Sequence, residues 1–339
     1  YCGKLSFNQN TTNLTVSKGI PNFGFTKFFN MAFGAEFRID DYGIEAGEEK
    51  SWQNYNAPGT PAAQVKAAGV QVFGGFRPSN AINQTRSNLG VFADLESDLT
   101  DKLLISGALR YENYSDFGSN LSGKLAGRYK ITDAFAVRGG VNRGFRAPSL
   151  HQRYYSAVAT QFITVAGVNQ QREVTTVRND DPVTKQLGIP TLKPETSWSY
   201  SLGITANIQS KLLLTVDAYR IAIQDRIVIS GRFSSTVPQL VEYFKNTDVN
   251  EAQFFTNAID TQTDGIDAVL TYGRVIHVRG AAIYAIGRKE VQRLGRSGVD
   301  VAEYEGVQVV CTPDSSAILT VYRNSDFRGL KPRSGRRWH

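Results

Sequence analysis

The 339-residue sequence has no long hydrophobic run, and this absence excludes one class of membrane protein. Its apolar runs reach only about six residues, whereas a membrane-spanning helix needs roughly 20. A transmembrane helix is therefore excluded. The chain starts at Tyr1 with no basic and apolar leader, so we expect an upstream portion of the protein to be missing from this sequence.

Cysteine and histidine are also scarce. The two cysteines, Cys2 and Cys311, lie at opposite ends of the chain and form neither a disulfide framework nor a zinc site. The three histidines include no close pair, so we expect no transition-metal site, and we predict no cofactor. Ser149 and His151 lie close together, but no nucleophile-elbow pattern surrounds the serine, and we expect no enzymatic activity.

The excess of positive charge is confined to the end of the chain. The net charge is +7, yet from Arg274 onward 12 Lys and Arg stand against 6 Asp and Glu. Residues 1–273 have 26 basic and 25 acidic residues and are almost neutral. The main body of the chain therefore gives no reason to predict a nucleic-acid partner.

What the sequence does contain is a series of segments in which apolar and polar residues alternate. From Trp198 to Ile208 every second residue is apolar, and those between are polar or small. Successive side chains of a β-strand point to opposite faces, so this segment has one apolar and one polar face. The same pattern predicts strands at about 28–40, 88–98, 102–112, 121–131, 134–145, 211–224 and 263–272.

Short and long connections alternate between these strands. The tight turns are ESDLTD, TD and QSK, and the long connections run over about 41–87, 146–195 and 225–262. Outer-membrane barrels have short periplasmic turns and long outer loops, and their tilted strands need about 9 to 11 residues. The sequence therefore predicts an all-β fold, an antiparallel transmembrane β-barrel fragment with short periplasmic turns and long extracellular loops. Its apolar faces would contact outer-membrane lipid; the alternative is a soluble β-sandwich that buries them.

The stretch VRGGVNRGFRAPSLHQRYY, residues 137–155, ends a strand and enters the longest outer loop. Pro148 has no amide hydrogen to give a neighbouring strand, so strand pairing is expected to end there. Polar, cationic or aromatic residues of the loops and the upper lumen are the expected ligand contacts. The predicted contacts are Arg77, Arg146, His151, Arg153, Tyr154 and Tyr155. The alternative is that Arg146 and the tyrosine pair only anchor the loop to the barrel rim.

An ordered set of short motifs resembles the barrel of TonB-dependent outer-membrane receptors. The set comprises FGAEFRIDDYGIEAGEEKSW, GGFRPSNA, ALRYENYSDFGS, GFRAPSL with a following tyrosine pair, LKPETSWSYSLG, DAYRIAIQDRI and TDGIDAVLTY. The resemblance covers about residues 25–272. It implies a receptor in the cell outer membrane of a Gram-negative bacterium that imports a bulky scarce nutrient of the iron-siderophore, cobalamin or saccharide class. The implied partners are an extracellular nutrient ligand and the TonB complex, which acts through an N-terminal plug region not recognised here.

The alternation fades after Tyr272, and we predict two regions. Residues 1–273 form a partial receptor β-barrel, and residues 274–339 form a basic atypical tail that is out of frame or disordered. A basic arm for nucleic acid or anionic lipid, and a divergent strand pair around 281–286, are the alternatives for the tail. Eight or nine strands cannot close a barrel of roughly 22, so we expect a fragment. The alternative function is a passive porin or an outer-membrane adhesin without TonB coupling.

Overall fold

A computed structural model of the chain describes residues 1–57, 60, 66–70, 74–165, 168–208, 212–247, 249–272, 274–278, 281–285, 291–292, 294, 296, 303, 305, 307–311 and 318–323. Among these residues, no helix combines the length and the apolar character needed to cross a membrane.

Strands dominate the fold, and the helices are single turns. The strands are β1 (Gly3–Pro21), β2 (Phe28–Ala46), β3 (Ile82–Asp98), β4 (Leu103–Tyr114), β5 (Gly118–Thr132), β6 (Phe135–Arg146), β7 (Ala157–Val165), β8 (Val168–Val177), β9 (Glu195–Ile208), β10 (Leu212–Ile229), β11 (Phe233–Ser234), β12 (Glu251–Tyr272), β13 (Arg274–Val278), β14 (Ala281–Ala285), β15 (Val307–Cys311) and β16 (Ile318–Arg323). The helices are α1 (Glu49–Trp52), α2 (Leu150–Tyr154), α3 (Pro182–Gln186) and α4 (Val241–Lys245).

One large sheet forms the body of the molecule. Strands β1 to β6, β9, β10 and β12 follow one another as antiparallel neighbours. The first residues of β12 also pair in parallel with β8, and β8 forms a hairpin with β7. Strands β1 and β7 are the two edges, so the described part of the sheet is open. This arrangement confirms the predicted all-β class, an antiparallel β-barrel fragment.

The apolar residues of the alternating strands share one face of the sheet. Leu202 lies opposite Gly139 and Ala218, and Leu125 lies opposite Gly107 and Val141. Their side chains are not packed into a core, since Leu202 is 63% and Leu125 57% exposed. A continuous exposed apolar surface of this kind requires an apolar environment, as on the lipid-facing side of a barrel. The alternative of a soluble sandwich with buried apolar faces therefore does not fit.

The opposite face carries ion pairs that cross from strand to strand over glycine. Arg138 of β6 and Asp217 of β10 are two strands apart, with Gly203 of β9 between them. Arg138 Nη2 lies 2.6 Å from Asp217 Oδ2, and a Cβ atom at Gly203 would collide with that carboxylate. The glycine therefore leaves the space that the pair needs.

Strand β1 was not predicted, and its register gives the reason. Leu14 and Val16 pair with Ala35 and Phe33 on the apolar face, whereas Phe7 pairs with Tyr42 on the opposite face. Because the apolar residues change faces along the strand, no single period of two runs through it.

Strands β10 and β12 are longer than predicted. They end at Ile229 and begin at Glu251, inside the segment 225–262 that was expected to be a loop. A bulge lies between Ile223 and Ile227 of β10. The added parts of β10 and β12 pass beyond the apolar band of the sheet, where apolar and polar residues no longer alternate. The predicted strict alternation of connections also has an exception, because β4 and β5 are joined by residues 115–117 alone.

Strands β13 to β16 form a separate four-stranded antiparallel sheet after residue 273. The predicted strand pair around 281–286 overlaps β14. Residues 324–339 and the predicted turn at 209–211 lie outside the described residues. The division into a barrel and an atypical tail stays a prediction.

Candidate functional site

Helix α2 follows the barrel strand β6 directly and begins with a capping box. Ser149 Oγ accepts a hydrogen bond from the Gln152 amide at 3.0 Å, and Gln152 Oε1 accepts one from the Ser149 amide at 3.1 Å. The side chain of Leu150 is buried against Tyr42 and Ile44 of β2. The local sequence thus ends β6 and begins α2. The buried side chain of Leu150 holds α2 against the inner face of the barrel sheet, which we call the wall.

A buried charge cluster connects α2 to the wall. It consists of Arg86, Asp116 and Arg153, and we call it the α2 clamp. The Arg86 side chain is 4% exposed and donates to both Asp116 oxygens, at 3.0 and 2.7 Å. Arg86 Nη2 also donates to the Pro148 carbonyl at 2.7 Å. Arg153 Nη1 donates to the same aspartate at 2.6 Å. The clamp therefore joins β3, the turn between β4 and β5, and α2.

Arg146 makes a second anchor at the end of β6. Its guanidinium donates to both oxygens of Glu195 on β9, at 2.5 and 3.0 Å. Glu195 also accepts the Ile227 amide of β10 at 2.8 Å. The contacts of Arg146 agree with the alternative in which it anchors the loop to the barrel rim.

His151 lies in an aromatic setting in the first turn of α2. Its Nδ1 is 3.2 Å from the Tyr42 hydroxyl, and its ring centroid is 4.4 Å from that of Tyr155. The ring also meets Phe255 edge-on at 6.4 Å. Although His151 is exposed as a residue, the partial burial of its ring lowers the pKa of the imidazole, and burial raises the pKa of the Tyr155 hydroxyl.

We expect acidification to loosen α2 through His151. Because its pKa is lower in the folded state, the neutral ring is the form that the fold prefers, and its contribution is lost as pH falls below the ordinary histidine pKa of about 6.5. Proteolysis within loop 147–194 should therefore speed up severalfold from pH 7.5 to 5, and less so in His151→Gln. An equal pH dependence in His151→Gln would contradict this assignment.

Three outer loops meet at a cavity of about 660 Å³, which we call the loop cavity. The Asn80 side chain donates to Ser156 Oγ at 2.8 Å and joins loop 47–81 to loop 147–194. The Glu173 amide donates to Asn250 Oδ1, and the Asn250 amide donates to the Glu173 carbonyl, both at 2.8 Å. These two bonds connect loop 147–194 to loop 230–250. The cavity is lined by Arg77, Ser79, Asn80, Ser156, Val158, Thr175, Val177, Asp181, Tyr243, Lys245, Asn246, Thr247 and Val249.

The predicted contacts divide between two places. Arg77 lines the loop cavity, whereas Arg146, His151, Arg153, Tyr154 and Tyr155 lie at α2 and the wall. Ligand contact stays a prediction for all six residues.

Sequence reasoning missed several residues of these two places. Lys245 and Tyr243 of the loop cavity lie in a segment without periodicity, and Arg86 and Asp116 are 30 residues apart. No local signal in the sequence indicates such pairs.

No metal site is found in the part of the chain that the structure describes. It holds no group of three His, Cys, Asp or Glu side chains arranged for a metal ion. The adjacent carboxylates Asp40 and Asp41 belong to β2, and Asp40 is buried beside Arg38.

Comparison with known proteins relates the chain to one family. The family model described as TonB dependent receptor-like, beta-barrel, matches residues 3–338. A curated relative, the ferrienterobactin receptor of Escherichia coli (strain K12), is 34% identical over 62 residues, which are 18% of this chain and 8% of the relative.

Solved structures resemble the fold at low sequence identity. A mutant of the ferric enterobactin receptor PfeA from Pseudomonas aeruginosa, in complex with enterobactin, has a TM-score of 0.54 at 16% identity, over 82% of this chain and 35% of that one. A double mutant of the Serratia marcescens hemophore receptor HasR, in complex with its hemophore HasA and heme, has a TM-score of 0.52 at 14% identity, over 83% and 41%. The chain thus spans about two fifths or less of these structures, and the likeness concerns the fold alone.

Proposed function

The chain belongs to the TonB dependent receptor-like β-barrel family, and from this premise we propose that it is part of an outer-membrane receptor importing a bulky scarce nutrient with energy supplied through TonB. The family is one of transport receptors in the outer membrane of Gram-negative bacteria. An iron-siderophore complex is the first candidate nutrient, because the ferrienterobactin receptor is a curated relative and PfeA in complex with enterobactin has a similar fold.

The observation that carries this proposal is the loop cavity. Loops from three separate parts of the chain are tied together by hydrogen bonds around one space of about 660 Å³. Binding residues are commonly placed on loops that a rigid scaffold positions, and here the scaffold is the barrel wall. A barrel wall with a polar inner face below a loop-borne cavity suits a receptor that first binds a ligand outside and then passes it inward.

Uptake by cells expressing the full-length gene tests this proposal. We expect such cells to accumulate radiolabelled iron supplied as catecholate, hydroxamate or hydroxycarboxylate complexes well above cells carrying the empty vector. Accumulation should fall to the vector background in cells lacking TonB and after addition of a protonophore. Entry that persists without TonB would instead favour a passive porin, and surface binding with no entry would favour an adhesin.

A further inference from the structure

The lining of the loop cavity is unusually polar for a ligand site. Most ligand pockets are lined mainly by apolar and aromatic side chains. Here the apolar lining residues are Val158, Val177 and Val249, and Tyr243 is the aromatic one. The other side chains named for the lining carry hydroxyl, amide or charged groups. The planar apolar macrocycle of a ligand such as heme would leave most of these groups without partners, at a cost in binding free energy.

Two cations face the cavity from different loops. Arg77 precedes the short 3-10 helix Pro78–Asn80, and Lys245 is the last residue of α4. Lys245 is 3.6 Å from Glu242, but both side chains are more than 60% exposed, and an exposed pair of this kind contributes little. The lysine ammonium is therefore available to a ligand at small cost.

One oxygen of the Asp181 carboxylate is bound within its own loop, and the carboxylate keeps its negative charge. Its Oδ1 accepts the Val183 amide at 3.0 Å at the start of α3. The hydroxyl groups differ: Ser156 Oγ accepts from Asn80 and keeps its own hydrogen to donate, and Ser79 is exposed. The cavity is thus lined by two cations, one carboxylate and several hydroxyl and amide groups that can donate hydrogen bonds to oxygen atoms.

We propose that the loop cavity binds a hydrophilic anion rich in carboxylate or hydroxyl oxygens, with Arg77 and Lys245 as its counter-charges. The inference rests on the proposed function and names the ligand class of the same site. Heme and uncharged iron chelates are excluded from that class. Two sources supply this chemistry: a ferric hydroxycarboxylate chelate and an acidic oligosaccharide.

Binding to the full-length protein in outer membranes tests the class. The probes are ferric citrate, an oligogalacturonate, a neutral ferric trihydroxamate and hemin. We expect one or both anions to bind, with a Kd that rises with salt, whereas the trihydroxamate and hemin do not compete. The Arg77→Ala and Lys245→Ala variants should each raise that Kd by about tenfold, since each removes one charge-assisted hydrogen bond. Whichever anion binds identifies the source.

Lys193→Ala is the matched control. Lys193 is an exposed cation of loop 147–194 paired with Asp225 at 2.9 Å, and it does not line the cavity. We expect its Kd to match that of the unmodified protein. Binding of hemin or the trihydroxamate in place of the anions, or a Kd insensitive to both substitutions, would overturn the ligand class while leaving import intact. Absence of TonB-dependent uptake for these probes and for the catecholate iron complexes as well would instead refute the proposed function.

Discussion

Arginine in place of Leu202 is expected to destabilise the barrel by about 2 to 4 kcal/mol, whereas arginine in place of the adjacent Ser201 is expected to be tolerated. Leu202 lies in the middle of the apolar run of β9, opposite Gly139 and Ala218, and is 63% exposed on the apolar face. A cation there would be placed in hydrocarbon. Ser201 points to the polar face, where it lies opposite Gly140 and Tyr219.

The two variants introduce the same side chain at adjacent positions of one strand, so they differ in the face of the sheet on which the arginine is placed. The measurement is the urea concentration at which the full-length protein, folded in bilayers, loses its folded mobility on an unheated SDS gel. We expect a clear decrease for Leu202→Arg and little change for Ser201→Arg. The opposite ranking would mean that the apolar face is the inner one, and the membrane orientation of the whole sheet would then be wrong.

The positions of the barrel strands were predictable at their centres, because there one face of each strand contacts an apolar layer and the other face does not. From Trp198 to Ile208 the environment of the side chains changes at every residue, and the sequence has the same period. Where both faces meet water, or where the apolar residues change faces as in β1, the period carries no information. Strand ends such as Ile229 and the start of β12 at Glu251 were therefore missed.

The site was less predictable than the fold, for a different reason. Arg77 was selected for its charge and its loop, and it does line the loop cavity. Its neighbours there come from loops more than 70 residues away, as the hydrogen bond from Asn80 to Ser156 illustrates. A single sequence does not indicate which residues of distant loops contact each other. The same holds for Arg86, whose role depends on Asp116 and on the Pro148 carbonyl.

Removal of the Arg86 guanidinium should release α2 from the wall. Arg86→Ala leaves the Pro148 carbonyl without its donor and Asp116 with Arg153 as its remaining partner in the clamp. Loss of one member of a buried ion pair costs about 3 to 5 kcal/mol. We therefore expect proteolysis within loop 147–194 to accelerate by at least about a hundredfold, because each 1.4 kcal/mol is worth a factor of ten.

An exposed pair of similar geometry gives the control. Arg220 donates to both oxygens of Asp264, at 2.6 and 3.3 Å, but the two side chains are 58% and 50% exposed. Arg220→Ala should have little effect on stability and leave the proteolysis of loop 147–194 unchanged. Asp116→Asn should resemble Arg86→Ala, since it removes the charge that both clamp arginines share. If Arg86→Ala and Arg220→Ala were cleaved equally slowly, the capping box and the packing of Leu150 alone would hold α2 in place.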